Sequence, residues 1–244
     1  MARGGQQILR GVDLAVAPGT WTALVGRNGA GKSTLLRVLK GIERPDAGGV
    51  HLGSGPLEGP DPRIGLVLDS PEDQGVAPVV EDDIAFGLEL QGLPPAEIGR
   101  RVGEVLGRLD IAGLRKRPAH TLSGGQAQKV ALAAVLVLGA RFLLLDESLA
   151  HLSPPERDRV LLDLEGLRSG GLGLVLATHR ADEVLWADRV VWLEQGRVRF
   201  LGAPEELFAL PECPWAGYGE RCRRAGVPPG GAAFRAWAVM GQGL

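Results

Sequence analysis

The chain has 244 residues, 45% of them hydrophobic and 23% charged, a mix that excludes a disordered or fibrous chain and suits one large α/β unit. A net charge of −2 excludes the basic footprint of a nucleic-acid-binding domain, and two cysteines, Cys213 and Cys222, are too few for a disulfide scaffold and read as free thiols of a reducing compartment. The N-terminal MARGGQQILRG lacks a signal-peptide core, and no apolar run reaches the ~18 residues of a membrane span, so the chain is expected to be soluble and to reach a membrane only through partners.

In chain order, Ile8–Val16 (ILRGVDLAV) alternates apolar and polar residues and predicts an edge strand. Thr22–Val25 predicts a short buried strand running into a glycine-rich loop at Gly26. A helix is expected from Lys32 to about Lys40, stopped by Gly41 and Pro45. Ile64–Leu68 predicts a buried strand. Val80–Leu90 and Pro95–Leu109 predict helices, the second with proline in its first turn. Gly124–Leu138 has helical spacing, Phe142–Leu145 is strand-like, and Pro154–Leu167 is an amphipathic helix. Leu172–Ala177 predicts a core strand, Ala181–Trp186 a short helix, and Arg189–Leu193 with Arg197–Leu201 a hairpin around Gln195-Gly196. Pro204–Leu210 predicts a last helix. The segment after Pro211, rich in Gly, Pro, Arg and Trp, has no clear period. Continuous apolar strands alternating with helices imply a parallel sheet covered on both faces.

Three motifs carry chemistry. Gly26-Arg27-Asn28-Gly29-Ala30-Gly31-Lys32-Ser33 fits G-x-x-x-x-G-K-[ST] between a predicted strand and a predicted helix, the context that confirms a P-loop. Its backbone N–H groups and the helix N-terminus suit phosphate, Lys32 reaches the β- and γ-phosphates, and Ser33 offers a hydroxyl to Mg²⁺. Lys32 also stands out because only Lys40, Lys116 and Lys129 share its residue type. Asp146-Glu147 end the Phe142–Leu145 strand. A carboxylate there can hold Mg²⁺ and its neighbour can polarise an attacking water, although an apolar run ending in Asp-Glu is equally what a strand leaving the core looks like. Leu122-Ser123-Gly124-Gly125-Gln126 opens a long helix and is a second candidate anion site, or an ordinary serine cap with glycines.

In this order the motifs resemble the ATP-binding-cassette (ABC) ATPases: a P-loop, an LSGGQ signature, an LLLDE strand, and His179 in the ATHR that follows the next core strand. The resemblance covers about residues 8–210. Within the family, LVLDSPEDQGVAPVVEDDIAFGLELQGLP, Gly19-Thr20-Trp21 and Gly202–Phe208 (GAPEELF) are most similar to the energy-coupling-factor (ECF) transporter ATPases, which include cobalt and nickel importer ATPases. The resemblance implies an α/β P-loop NTPase fold of the ABC ATPase type, with a parallel core sheet and flanking helices, an antiparallel N-terminal β-region and a helical signature subdomain over about 80–138. It divides the chain into an ABC ATPase domain at 1–210 and a C-terminal extension at 211–244, a candidate dimer contact.

The resemblance further implies ATP and Mg²⁺ as ligands. The nucleotide would be held by residues 26–33 with Thr34, and by Ser123, Gly124, Gly125 and Gln126 offered to the nucleotide of a second subunit. Ser33, Asp146 and Asp69 would serve the metal, and Glu147 and His179 catalysis. Expected partners are a second ABC ATPase subunit, identical or paralogous, a transmembrane coupling protein and a substrate-binding membrane component. Nucleic acid is not expected. The chain would work at the cytoplasmic face of the cell membrane in uptake of a vitamin or transition-metal ion.

Three positions depart from the family pattern. Asp69 stands where the loop after the IGLVL strand normally begins with Gln, although Gln74 follows in the same loop. Ser153 replaces a dimer-contacting Asp. Met1–Gln7 lacks the aromatic that usually stacks on adenine. These departures keep open a partly degenerate, mainly structural subunit of a heterodimer. A non-transport ABC ATPase is the other alternative, but such chains usually carry two cassettes or coiled-coil inserts, which are absent here.

Overall fold

The computed structural model describes residues 1–3, 6–69, 75–228 and 230–239. A short antiparallel ladder, β1 (Ala2–Arg3) with β2 (Gln6–Gln7), opens the chain. β3 (Trp21–Val25) leads through the P-loop into α1 (Lys32–Lys40). Helix α1 ends where expected because Gly41 adopts a left-handed cap whose N–H donates to the carbonyls of Arg37 and Val38. A second two-residue ladder, β4 (His51–Leu52) with β5 (Gly55–Pro56), precedes β6 (Ile64–Val67).

Three helices follow, α2 (Val80–Leu90), α3 (Pro95–Arg108) and α4 (Gly124–Leu136), with two short 3₁₀ turns at Ala112–Leu114 and Ala119–Thr121 between the last two. The remainder runs β7 (Phe142–Asp146), α5 (Pro154–Ser169), β8 (Gly173–Thr178), α6 (Ala181–Val184), β9 (Arg189–Glu194), β10 (Arg197–Gly202) and α7 (Pro204–Ala209). Two further helices close it, α8 (Tyr218–Arg224) and α9 (Gly231–Val239).

The central sheet has the order β10-β9-β3-β8-β7-β6. Five strands are parallel and β10 closes one edge as the antiparallel arm of the hairpin with β9. Strand side chains alternate between two cores. Trp21, Ala23, Val25, Leu143, Leu145, Leu174 and Leu176 join the helices of the signature region, α5 and the C-terminal helices. Leu24, Leu144, Val175, Ala177, Val191 and Leu193 meet Leu35, Leu36 and Val38 of α1. Both faces being covered explains why these strands read as unbroken apolar runs.

Two expectations change. Residues 8–16 form no strand. Their alternation reflects a half-buried surface: Leu9, Val12, Leu14 and Val16 pack on the α1 side of the sheet. Their amides bond outside any ladder, Ile8 N to Met1 O (2.7 Å) and Arg10 N to Gly196 O (2.8 Å), and Gly11 at φ 62° breaks the extended run. The expected antiparallel N-terminal region is correspondingly small, two ladders of two residues per strand.

The segment after Pro211 is helical and packed. Cys213 and Cys222, both free, are buried with Val227 and Phe234 in the same core as Trp21 and Leu145. Phe234 meets Trp186 edge-on (centroids 5.4 Å apart), and Trp186 stacks on Trp21 (5.9 Å). Arg235, only 4% exposed, donates to Trp186 O (2.6 Å) and to Asp188, and lies 3.3 Å from Glu165 Oε2. Asp188 in turn accepts from Trp21 N (2.8 Å), so the last helix is bonded through one carboxylate to the first core strand.

Three of the four lysines are structural. Lys40 Nζ donates to Asp61 O (2.8 Å) and to Ile64 O, tying α1 to β6. Lys129 donates to Leu109 O (3.1 Å) and pairs with Asp163 (2.6 Å), joining α4 to α5. Lys116 pairs with Glu81.

Candidate functional site

The loop from Gly26 to Gly31 leaves the C-terminal end of β3, between β8 and β9, the edge of a parallel sheet where ligands gather. Gly26 must be glycine: its φ is 154°, and a Cβ there would lie 2.3 Å from Leu193 O. Ala30 N donates to Arg27 O (3.0 Å), closing a turn whose Arg27, Asn28 and Gly29 are exposed. Lys32 and Thr34 are buried at the start of α1.

The C-terminal ends of three strands bring the catalytic candidates together. Lys32 Nζ donates to Gly26 O (2.9 Å) and lies 3.0 Å from Glu147 Oε1, just past β7. The other oxygen of Glu147 is 3.3 Å from Nδ1 of His179, just past β8. Glu147 has φ 51°, a left-handed backbone that costs a non-glycine residue about 1–3 kcal/mol. Bonds from Glu147 N to Ala177 O (3.1 Å) and from Ala150 N to Glu147 O (3.0 Å) hold it there. Strain of this kind is typical of residues held in a fixed orientation for function.

Asp146, 7% exposed, ends β7 and lies beside the Ser33 side chain. Burial pushes its carboxyl up from the usual range, Glu147 and Asp69 add repulsion, and Ser33 and Arg37 oppose the shift. Asp69 lines the same cleft from the end of β6, while Gln74 lies outside the described residues. Ser33, Asp146 and Asp69 present only oxygen, the donor chemistry that suits Mg²⁺. No group of three His, Cys, Asp or Glu among the described residues could hold a metal alone. A cation here would therefore complete its shell with water and phosphate oxygen.

The cleft measures about 920 Å³ and is lined by Asn28, Gly29, Gly31–Thr34, Arg37, Leu68, Asp69, Asp146 and Glu147, together with Gln7, Ile8, Arg10 and Gln195. It is within the size range of small-molecule sites. The second group was not legible in the sequence. Arg10 and Gln195 reach the cleft from segments about three quarters of the chain apart, with no motif to mark either.

The signature residues lie elsewhere. Ser123 caps α4: its Oγ accepts from Gln126 N (3.4 Å), and Gln126 Oε1 accepts from Ser123 N (3.1 Å), a reciprocal capping box. Ser123, Gly125 and Gln126 line a separate hollow of about 270 Å³, and none of the four signature residues lines the P-loop cleft. Glu156 reaches into this hollow and accepts from Gly125 N (3.4 Å). The Ser153 hydroxyl, which donates to Glu156 Oε2 (2.7 Å), holds its carboxyl below the usual range, with Ser123 contributing next. The signal in the sequence that points to Glu156 is Ser153-x-x-Glu156, itself a capping-box pattern.

Residues 9–150 match the ABC transporter family. The energy-coupling factor transporter ATP-binding protein of Symbiobacterium thermophilum is 43% identical over 241 aligned residues, covering 90% of this chain and 82% of that protein. The cobalt import ATP-binding protein of Syntrophus aciditrophicus is 34% identical, over 97% and 84% of the two chains. Among solved structures, CbiO1 of Clostridium perfringens, described as part of the ABC transporter complex CbiONQ, superposes with a TM-score of 0.79 at 34% identity, covering 91% of this chain and 92% of that one. A nucleotide-free ATP-binding cassette from an ABC transporter shares the fold, with a TM-score of 0.78 at 23% identity over 87% and 93%.

Proposed function

The chain belongs to the ABC transporter ATPases, and from that premise we propose that it is the ATP-hydrolysing subunit of an ECF-type importer for a vitamin or transition-metal ion. The observation that carries this reading is the run of contacts Lys32–Glu147–His179 at the ends of neighbouring strands, beside Ser33 and Asp146.

Each residue then has a defined task. The backbone of residues 26–31, with Ser33 and Thr34, cradles the phosphates, and the Lys32 ammonium pairs with the β- and γ-phosphates. Ser33, Asp146 and Asp69 would hold Mg²⁺ at the cleft, where it would supply positive charge to the phosphate oxygens. Glu147 takes the proton of the attacking water, and His179 fixes the carboxylate's orientation from its second oxygen. Ser123, Gly125 and Gln126 line their own hollow, with Gly124 between them in the chain, an arrangement that suits presentation to the nucleotide of a second subunit.

Phe86 and Leu90, one turn apart on α2, and Val76 just before it are exposed apolar side chains. They fit a contact with a transmembrane coupling protein, which would hold the chain at the cytoplasmic face of the membrane beside a substrate-binding component. No helix among the described residues is long and apolar enough to cross a membrane. Residues 211–244, an extension beyond the 1–210 ATPase region, would contribute to contact with the second subunit.

The test is ATP hydrolysis by the purified chain together with co-purification from its native membranes. Turnover abolished by Lys32→Ala, with membrane proteins retained by the wild-type chain, supports the proposal. Turnover unaffected by Lys32→Ala refutes it. Turnover without any membrane partner favours a non-transport ABC ATPase.

A further inference from the structure

Met1–Arg10 contains no aromatic residue, and none lines the cleft. Beside the P-loop residues, the cleft is lined by Gln7, Ile8, Arg10 and Gln195. The segment that carries Arg10 is clamped in place. Arg10 N donates to Gly196 O (2.8 Å), and Gly196 N donates to Ala30 O (3.2 Å) in the P-loop. Ile8 sits so close to the same turn that a Cβ on Gly196 would come 1.9 Å from Ile8 O. Leu9, 7% exposed, packs against Gly31. The backbone under Arg10 is thus fixed to the phosphate-binding loop by bonds that leave its side chain uncommitted. Arg10 Nε is shielded from solvent without a hydrogen-bond partner. Among the described residues no carboxylate pairs with its guanidinium.

We infer that the Arg10 guanidinium is the stacking platform for the nucleotide base, and that the chain accepts purine nucleoside triphosphates with little discrimination between adenine and guanine. The inference rests on the nucleotide-binding function proposed above. A guanidinium is planar, delocalised and weakly hydrated, and it stacks on aromatic rings. Stacking reads the face of a base, not its edge. The side chains nearest to hand for reading an edge are the amides of Gln7 and Gln195. Each amide offers both a donor and an acceptor and can turn to suit either purine.

The test measures calorimetric binding of MgATP, MgGTP and inorganic tripolyphosphate to the purified full chain and to Arg10→Ala, Arg10→Lys, Arg10→Tyr and Lys32→Ala. The wild type is expected to bind ATP and GTP within about threefold of each other. Arg10→Ala should weaken ATP at least about fivefold, the low end of what base stacking contributes, and leave tripolyphosphate within about twofold. Arg10→Tyr, planar but uncharged, should restore ATP binding, and Arg10→Lys, charged but not planar, should not. Equal losses for ATP and tripolyphosphate would make Arg10 a phosphate contact and overturn the inference, as would rescue by lysine but not by tyrosine. If Arg10→Ala does not fold, the lysine and tyrosine variants decide alone. Absence of both ATP and tripolyphosphate binding in the wild type, matching Lys32→Ala, would instead bring down the proposed function itself.

Discussion

Replacing Phe234 with alanine is expected to destabilise the whole chain, not only its last helix. Phe234 is 2% exposed and sits edge-on to Trp186, which stacks on Trp21 of the first core strand. Truncating a buried phenylalanine costs about 3–5 kcal/mol. For a chain of this length each kcal/mol lowers the melting temperature by roughly 2–4 °C, so the expected fall is about 6–20 °C. Arg235→Met should act in the same direction, because it leaves Asp188 without its cation, while Glu165 keeps Arg168. Breaking a buried pair costs about 3–5 kcal/mol, and the 30% exposure of the Asp188 side chain puts this one at the lower end. Thermal unfolding followed by circular dichroism gives both numbers. A fall of less than about 2 °C for Phe234→Ala, or a separate early transition with the main one unmoved, would refute the claim that residues beyond Pro211 belong to the main core.

Asp69→Gln removes one negative charge from a cleft that already holds Asp146 and Glu147, and steady-state ATP hydrolysis should rise severalfold; equal or lower turnover would show that the aspartate is a working part of the site. Glu183, 2% exposed, has its carboxyl pushed up by burial, so the folded chain binds that proton more tightly than the unfolded chain. Its stabilising contribution is complete at low pH and is lost as pH rises through the folded-state pKa. Glu183→Gln keeps an acceptor for the Thr178 hydroxyl and removes the charge, so its melting temperature relative to wild type should be higher at pH 8 than at pH 5; the opposite order would contradict the burial argument.

Where a signal was local, the sequence specified the structure almost to the residue. Helix α1 occupies Lys32–Lys40 because Gly31 and Gly41 bracket it. Helix α2 occupies Val80–Leu90, three acidic residues filling its first turn. The P-loop was legible because all its parts are contiguous. What failed depended on contacts between distant segments. The alternation of residues 8–16 describes a half-buried surface, and no neighbouring strand was there to turn it into a ladder. The helices after Pro211 are short and hold their place through Trp186, Asp188 and Glu165, which no local pattern links to them. Glu156 at Gly125 and Arg10 at the rim of the cleft were hidden for the same reason, since each reaches its place only after the chain has folded back on itself.

The central claim is that Glu147 is the base of an ATP-hydrolysing site, and Glu147→Gln tests it most directly. The amide keeps the size and hydrogen-bonding reach of the carboxylate toward Lys32 and His179 but cannot take a proton from water. General-base catalysis contributes about 10²–10⁴-fold. With ATP affinity and turnover measured on the same preparation, affinity should stay within about threefold of wild type while turnover falls at least about a hundredfold. Unchanged turnover, or loss of binding and turnover together, would contradict the assignment.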